Sequence, residues 1–217
     1  MSLKKASQES KPSSPKIDPR IERTREALRG ALMALIEEKG FDAISVQDIT
    51  ERARINRATF YLHYRDKQDL LLRASEAVFD RLAVEAGPID RENLDFQKPP
   101  QQLVVIFQHL AKYQDFYRAV LGKSGVPAFA ARMREYLAVF TQERMKNLYV
   151  IYPKTDPIVD EAFVSQYLAG ALLGIMIWWL DNNLPHSPEY MADRFGWLSA
   201  AGIYTMLGID PPKLDSV

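Results

Sequence analysis

Two short helix signals joined by a tight turn occupy the segment from Ser45 to Lys67 of this 217-residue chain. Ser45, with Asp48 three residues later, is typical of a capping box, in which each side chain satisfies a backbone amide at the start of a helix. Asn56 is a good N-cap for a second helix that begins at Arg57. The segment therefore predicts a helix-turn-helix, whose second helix is the one that lies in the major groove of DNA.

Apolar residues recur at helical spacing along the rest of the chain. A first helix runs from Ile21 to Lys39, where Gly40 is a natural stop, and it is expected to pack across the short pair. Asp66 can cap a fourth helix that ends near Gly87. Further helical runs cover 103–120, 129–149, 158–182 and 187–207. Because no segment shows β alternation, the sequence predicts an all-α fold.

The net charge of the chain is zero, but the charge is unevenly divided. Residues 1–68 carry 14 basic and 10 acidic side chains, whereas residues 69–217 carry 14 and 18. A basic front end on an acidic body fits a DNA-binding head attached to a regulatory domain. Chance is the alternative, because an excess of four charges is mild. The first 16 residues are rich in Ser, Lys and Pro and lack the apolar core of a signal peptide, which predicts a disordered tail and a cytoplasmic protein.

The sequence carries no motif for catalysis. It has no cysteines, and its three histidines are not at metal-ligand spacing from one another. Adjacent carboxylates such as Glu37 and Glu38 point about 100° apart on a helix and do not converge. A nucleophile elbow, a P-loop and a dinucleotide fingerprint are also absent. We therefore expect no enzymatic activity, no metal and no cofactor.

Residues 163–180 form an uncharged run of 18 residues, the nominal length of a membrane span. The flanks of this run are acidic and carry no basic anchor, so a core helix or a helix shared between subunits is favoured. Gly170 and Gly174 would let a second helix approach closely, and Trp178 supplies a large anchor.

The residues expected to contact DNA lie on the short helix pair and at the start of the fourth helix. Arg57 can make a bidentate contact with guanine, while Ala58 and Thr59 can offer methyl contact to thymine. Tyr61 can bond the phosphate backbone, whereas Phe60 and Tyr64 are expected to be core. The Lys67 ammonium and the amide ends of the helices offer phosphate sites. The full set is Val46, Gln47, Asn56, Arg57, Ala58, Thr59, Tyr61, His63 and Lys67.

The same residues carry a family pattern. It consists of Gly40-Phe41, Ser45-Val46-x-Asp48-Ile49 and Ala53-x-Ile55-Asn56-Arg57-Ala58-Thr59-Phe60-Tyr61-x-His63-Tyr64-x-x-Lys67-x-x-Leu70. This pattern resembles the TetR/AcrR family of bacterial transcriptional regulators over residues 21–72. Asn56 stands where the family usually has Ser or Thr, and Ala58 where it often has Gly. Beyond residue 72 the resemblance is one of layout.

The resemblance implies an Ω-shaped homodimer with about nine helices per subunit, joined through the last two helices of each. It also implies a ligand pocket inside helices 4 to 8 and, most often, repression relieved by the ligand. The predicted domains are a tail (1–16), a helix-turn-helix domain (17–67), a ligand-binding and dimerisation domain (68–210) and a second tail (211–217). Residues expected in the dimer interface are Gly170, Gly174, Trp178, Tyr190, Trp197 and Ala201.

The middle of the chain is rich in aromatic residues, which could line a pocket for a small apolar or aromatic molecule. Core packing is the alternative, because an aromatic stripe at helical spacing is more often core. The candidates are Phe107, His109, Tyr113, Phe116, Tyr117, Met133, Tyr136, Phe140 and Tyr167.

These features predict a DNA-binding transcriptional regulator whose partners are an operator duplex, a small-molecule effector and a second copy of the chain. A helical protein-interaction module without sequence-specific DNA binding is the alternative. The residues do not distinguish a repressor from an activator, although the resemblance implies repression.

Overall fold

The computed structural model describes residues 18–87, 101–123, 125–151 and 159–207. Nine helices lie within these ranges: α1 (Pro19–Lys39), α2 (Val46–Ala53), α3 (Arg57–His63), α4 (Lys67–Ala86), α5 (Gln101–Lys112), α6 (Gln114–Leu121), α7 (Pro127–Ile151), α8 (Glu161–Asp181) and α9 (Pro188–Leu207). The all-α fold is confirmed. The tails predicted at 1–16 and 211–217 lie outside the described residues, and the domain boundaries remain predictions.

The helix starts follow the capping signals of the sequence. At α2, the Ser45 hydroxyl accepts from the Asp48 amide at 3.1 Å and the Asp48 carboxylate accepts from the Ser45 amide at 2.7 Å. The Ser45 hydroxyl also donates to the Asp48 carboxylate at 2.6 Å. This bond, then the bond from the Ser45 amide and the ammonium of Lys39, hold the pKa of the Asp48 carboxyl well below its usual range. At α3, the side-chain oxygen of Asn56 accepts from the Ala58 amide at 2.8 Å. Arg54 turns the chain between the two helices in the left-handed region, at φ 56°.

The head, which we define as α1 to α3, is held together by one apolar cluster. Leu28 and Leu32 of α1, Ile49 of α2 and Phe60 of α3 are fully buried. Tyr64 just after α3 is buried as well, so the prediction that Phe60 and Tyr64 are core residues is confirmed. The short helices α2 and α3 are therefore stabilised by packing, α2 on α1 and α3 on α2, rather than by their own length.

The body, α4 to α9, is joined to the head through α1 and α4. Helix α4 packs against α1 on one side and against α5 and α7 on the other, while α6 contacts both α1 and α8. The pairs α7–α8 and α5–α9 form the rest of the body. Fully buried Trp179 fixes the turn between α8 and α9, because its indole N–H donates to the His186 carbonyl at 3.0 Å.

The sequence missed one break. The run predicted over 103–120 divides at Tyr113 (φ −114°, ψ 34°) into α5 and α6. Both halves keep helical periodicity because each buries its own apolar face: α5 against α4 and α9, and α6 against α1, α7 and α8. A change of direction between two amphipathic helices leaves no gap in the apolar pattern, so periodicity alone could not show it.

Helix α8 is the one helix in the described ranges that is long and apolar enough to cross a membrane. Its buried residues, among them Leu168, Leu172, Met176 and Trp179, follow one face of the helix. Helix α7 packs along α8. The other face of α8 is exposed among the residues that the structure describes. The buried face fits a core helix, and the sharing of α8 between subunits stays a prediction.

Candidate nucleic-acid interface and ligand cavity

The outer face of α3 is set by the burial of Phe60. Successive residues of a helix are about 100° apart, so Ala58 and Leu62 point away from the head when Phe60 points into it. The side chain of Leu62 is 82% exposed and that of Tyr61 is 50% exposed. Of the residues predicted to read bases, Arg57 and Ala58 are exposed and Thr59 is half-buried. Leu62 was missed by the sequence analysis, although its place two residues after a core phenylalanine could have revealed it.

The two edges of this outer face carry polar groups. Along one edge, the guanidinium of Arg57 donates to the Tyr61 hydroxyl at 3.4 Å and lies 6.0 Å from the centre of its ring. Arg57 makes no ion pair within the described part of the chain. Thr59 and His63 form the opposite edge and are half-buried. Arg57 and Tyr61 together can offer hydrogen-bond donors to a base edge or a phosphate.

The remaining predicted contacts flank α3. Gln47 is exposed at the first turn of α2 and donates to Glu51 at 2.8 Å, while Val46 is half-buried against the core. The capping box uses the amides of Ser45 and Asp48, so the amides of Val46 and Gln47 stay available to an anion. Asn56 is exposed, but its side-chain oxygen is occupied as the cap of α3.

Lys67 has a different role from the predicted phosphate contact. Its ammonium donates to the carbonyls of Phe41, Asp42 and Ile44 at 2.9, 3.1 and 2.8 Å, and it lies 4.6 Å from the centre of the Phe41 ring. An ammonium has three donors, and all three are used. Lys67 therefore ties the start of α4 to the α1–α2 connection. The long sequence separation of these partners hid this role from the sequence analysis.

A cavity of about 640 Å³ lies where the head meets the body. Its walls come from α1, α4, α5 and α6, with Phe129 of α7. Four of the predicted ligand residues line it: His109, Tyr113, Phe116 and Tyr117. The contribution of α1, through Gly30 and Met33, was not foreseen.

The other predicted ligand residues lie elsewhere, which corrects the expected lining. Phe107 is buried edge-on against Trp179, with ring centres 5.4 Å apart. The Tyr136 hydroxyl donates to the carbonyl of Phe79. Met133 is buried in the core, and Phe140 packs against it. Tyr167 lies on the uncovered face of α8, 67% exposed. Helical periodicity identified these side chains as apolar-facing, but it does not distinguish a packed core from a cavity wall.

Charged side chains of both signs line the cavity, namely Arg29, Arg81 and Lys112 with Glu26 and Glu85. Burial, and secondarily the charges of Lys112 and Arg81, lower the pKa of His109 to about 4. Burial also raises the pKa of the Tyr117 hydroxyl. The His109 ring lies 4.7 Å from that of Tyr113 and 5.8 Å from that of Tyr117, measured between centres. His109 is therefore a neutral hydrogen-bonding group at physiological pH.

The depressed pKa of His109 predicts a pH dependence of stability. In the folded protein the pKa of His109 is about 4, below the ordinary value of 6.5. Folding therefore favours the neutral imidazole, and this contribution to the free energy of unfolding is fully present above about pH 6.5. That stability should be lost as the pH falls from 6.5 towards 4. We expect the urea midpoint to fall through this window, and to fall less in a His109→Gln variant. NMR titration of the His109 imidazole measures its pKa in the folded protein directly. A titration midpoint near 6.5 would contradict the burial of His109 beside the cavity.

An uncovered apolar face runs along α8 and α9. On α8 it contains Phe163, Tyr167 and Trp178, which are 64%, 67% and 48% exposed. A Cβ atom built on Gly170 or Gly174, between these side chains, would meet no atom within 4 Å. On α9 the exposed apolar residues are Tyr190, Trp197 and Leu198. The predicted interface residues thus lie on an accessible surface, except that the side chain of Ala201 lies outside the described residues.

The three-helix head, the exposed α3 and the helical body define a helix-turn-helix regulator. Residues 28–74 match the model of the bacterial regulatory proteins of the tetR family, and residues 97–200 match that of a transcriptional regulator C-terminal region of the same family. The chain belongs to the TetR family. The members of this family are DNA-binding transcriptional regulators, which favours a regulator over the alternative of a protein-interaction module.

Several relatives share most of this chain. It is 27% identical over 184 residues to the uncharacterized HTH-type regulator YxbF of Bacillus subtilis, covering 82% of this chain and 45% of YxbF. It is 26% identical over 156 residues to the dhaKLM operon activator DhaS of Lactococcus lactis, covering 70% of this chain and 76% of DhaS. The chain thus spans about half the length of the first relative. A TetR regulator from Streptococcus agalactiae has the same fold, with a TM-score of 0.61 and 26% sequence identity. The match covers 83% of this chain and 95% of that regulator.

Proposed function

We propose that this chain is a homodimeric repressor that a small, mainly apolar or aromatic ligand releases from its operator in the cytoplasm. Control by a ligand is supported by the cavity at the junction of head and body. Its α1 wall belongs to the head, whereas its α5 and α6 walls belong to the body. A molecule bound there would contact both parts.

Contact with both parts gives the ligand a way to bias their relative position. Filling the space between α1 and α4 favours any arrangement in which the two helices stand further apart. The distance between the two α3 helices of a dimer must match the operator, roughly 34–36 Å or a larger separation. The coupling cannot exceed the difference in ligand affinity between the two arrangements, typically about 1–3 kcal/mol.

The lining indicates the chemistry of the ligand. Phe79, Phe116 and Phe129 offer aromatic and apolar surface, which suits a flat or branched apolar body. Neutral His109 and the Tyr113 hydroxyl can fix one polar group. Lys112 and Arg81 stand beside His109, so that group is better neutral or anionic than cationic.

The homodimer is supported by the uncovered face of α8 and α9. On α8, exposed aromatic side chains flank two glycines along one face of the helix, and exposed apolar faces of this kind mark interfaces. We expect Gly174→Glu, which buries a carboxylate against the partner helix, to shift sedimentation towards the monomer. Val84→Glu, at an 82% exposed position of α4, is the control and should remain dimeric.

Gly30 tests the role of the cavity. A Cβ there meets no atom within 4 Å, so Gly30→Phe can place a ring into the space without a backbone clash. We expect simple aromatic acids and phenols to raise the melting temperature of the wild type, and to have a much smaller effect on Gly30→Phe. Gly30→Ala, which adds one methyl group, should keep the response. Equal responses in all three chains would contradict ligand binding at this cavity.

A promoter reporter tests the direction of control. Repression predicts that deleting the chain raises expression and that an active ligand does the same. Because the relative DhaS carries the name of an activator, the opposite result is informative: lower expression on deletion would overturn the repressor role and leave the ligand site standing.

A further inference from the structure

The centre of the recognition surface on α3 is apolar. Relative to buried Phe60, helix geometry places Ala58 at about 160° and Leu62 at about 200°, on either side of the direction that points straight outward. Arg57 and Tyr61 lie to one side of this strip, and Thr59 and His63 to the other. Leu62 is the most exposed large apolar side chain of the head, at 82%.

Among the residues that the structure describes, Leu62 is not a member of the buried apolar cluster, whereas Phe60 and Tyr64 are. Core packing there does not explain a leucine at this position. A single exposed leucine is ordinary on a protein surface. This one differs by position, since it lies at the centre of the face that a helix-turn-helix presents to the major groove.

An apolar side chain at that position restricts the bases it can face. Leucine offers no hydrogen bond, so a base whose polar edge lay against it would lose its water without gaining a partner. In the major groove the only apolar group of a standard base is the C5-methyl of thymine. 5-Methylcytosine carries the same group at the same place.

We propose that Leu62 and Ala58 form a strip that recognises C5-methyl groups of pyrimidines in the operator. Arg57 and Tyr61 would then read or fix positions on one side of the methylated pyrimidine. The inference depends on the outer face of α3 lying in the groove, and it holds whatever ligand the body binds.

Removing only the methyl group tests the proposal. Duplexes that bind the full chain are first selected from a random library, and each thymine is then replaced singly by deoxyuridine, which keeps every hydrogen bond. For the wild type we expect about a fourfold loss of affinity at one or two positions of each half-site, the value of one buried methyl group. The other thymines should tolerate the replacement.

Protein variants test whether the loss of affinity with deoxyuridine comes from the strip formed by Leu62 and Ala58. Leu62→Ala should bind the selected duplex more weakly and should lose the difference between thymine and uracil at the sensitive position. Tyr61→Phe, its neighbour on α3, should keep that difference. Because Leu62 is exposed, the melting temperature of Leu62→Ala should stay at the wild-type value, which separates readout from folding.

A second arm distinguishes the two sources of the methyl group. Cytosine placed at the sensitive position, opposite guanine, should bind weakly, and 5-methylcytosine should recover about fourfold for the wild type but not for Leu62→Ala. Recovery would show methyl recognition itself; no recovery would confine the strip to thymine. The proposal is overturned if uracil is tolerated at every position, if Leu62→Ala keeps the full difference, or if selection yields no preferred sequence.

Discussion

Phe60→Ala is expected to lower the free energy of unfolding by about 3–5 kcal/mol and to abolish operator binding at growth temperature. Phe60 is fully buried in the apolar cluster that also contains residues of α1 and α2, so its truncation leaves a cavity beneath a helix of only seven residues. Urea unfolding followed by circular dichroism measures the loss. Tyr61→Ala, next to it but half-exposed, should cost far less stability while still weakening DNA binding. A Phe60→Ala protein with unchanged stability would show that α3 is not anchored as described.

Lys67→Met is expected to destabilise the head by about 2–3 kcal/mol, because three carbonyls lose a charged donor and the start of α4 is released. Methionine keeps most of the apolar stem of the lysine side chain, so the change tests the contribution of the ammonium and its hydrogen bonds to stability. DNA affinity should fall as a consequence of unfolding, with the salt dependence of the folded protein almost unchanged. Arg65→Met is the control. The Arg65 side chain is 84% exposed, and the buried Asp69 carboxylate that it faces at 3.6 Å keeps the closer Arg73 at 3.0 Å, so the change should cost little stability.

The two possible roles of Lys67 give different results. If its ammonium contacted a phosphate, Lys67→Met would keep the wild-type urea midpoint and would reduce the slope of log affinity against log salt by about one. That outcome would contradict the clamp seen between α4 and the α1–α2 connection.

The head was predictable because its signals are local. Ser45, Asp48 and Asn56 mark the helix starts within a few residues, and the buried positions follow from the spacing around Phe60. The family pattern over residues 21–72 uses these same short-range features. The sequence did not indicate the bonds of the Lys67 ammonium to carbonyls of the α1–α2 connection, because these partners lie 23 to 26 residues earlier in the chain.

The body was predictable as helices but not as a site. Residues such as Phe107 and Met133 have the same periodicity as Phe116 and Tyr117, yet only the latter pair borders the cavity. Which apolar faces meet a neighbour and which meet empty space depends on how α1, α4, α5 and α6 are arranged in three dimensions. Gly30 illustrates this, since a glycine within a helix gives no sign that it borders a cavity.

The most direct test of the central claim, that two outward-facing α3 helices read one operator at a spacing set by the dimer, is a change of half-site separation. Five base pairs inserted between the half-sites of a selected operator rotate one half-site by about half a turn. We predict that affinity then falls to that for non-specific DNA, whereas changing the sequence of the spacer at constant length has little effect. Unchanged affinity after the insertion would show that the two heads do not bind as a fixed pair, and would contradict this account.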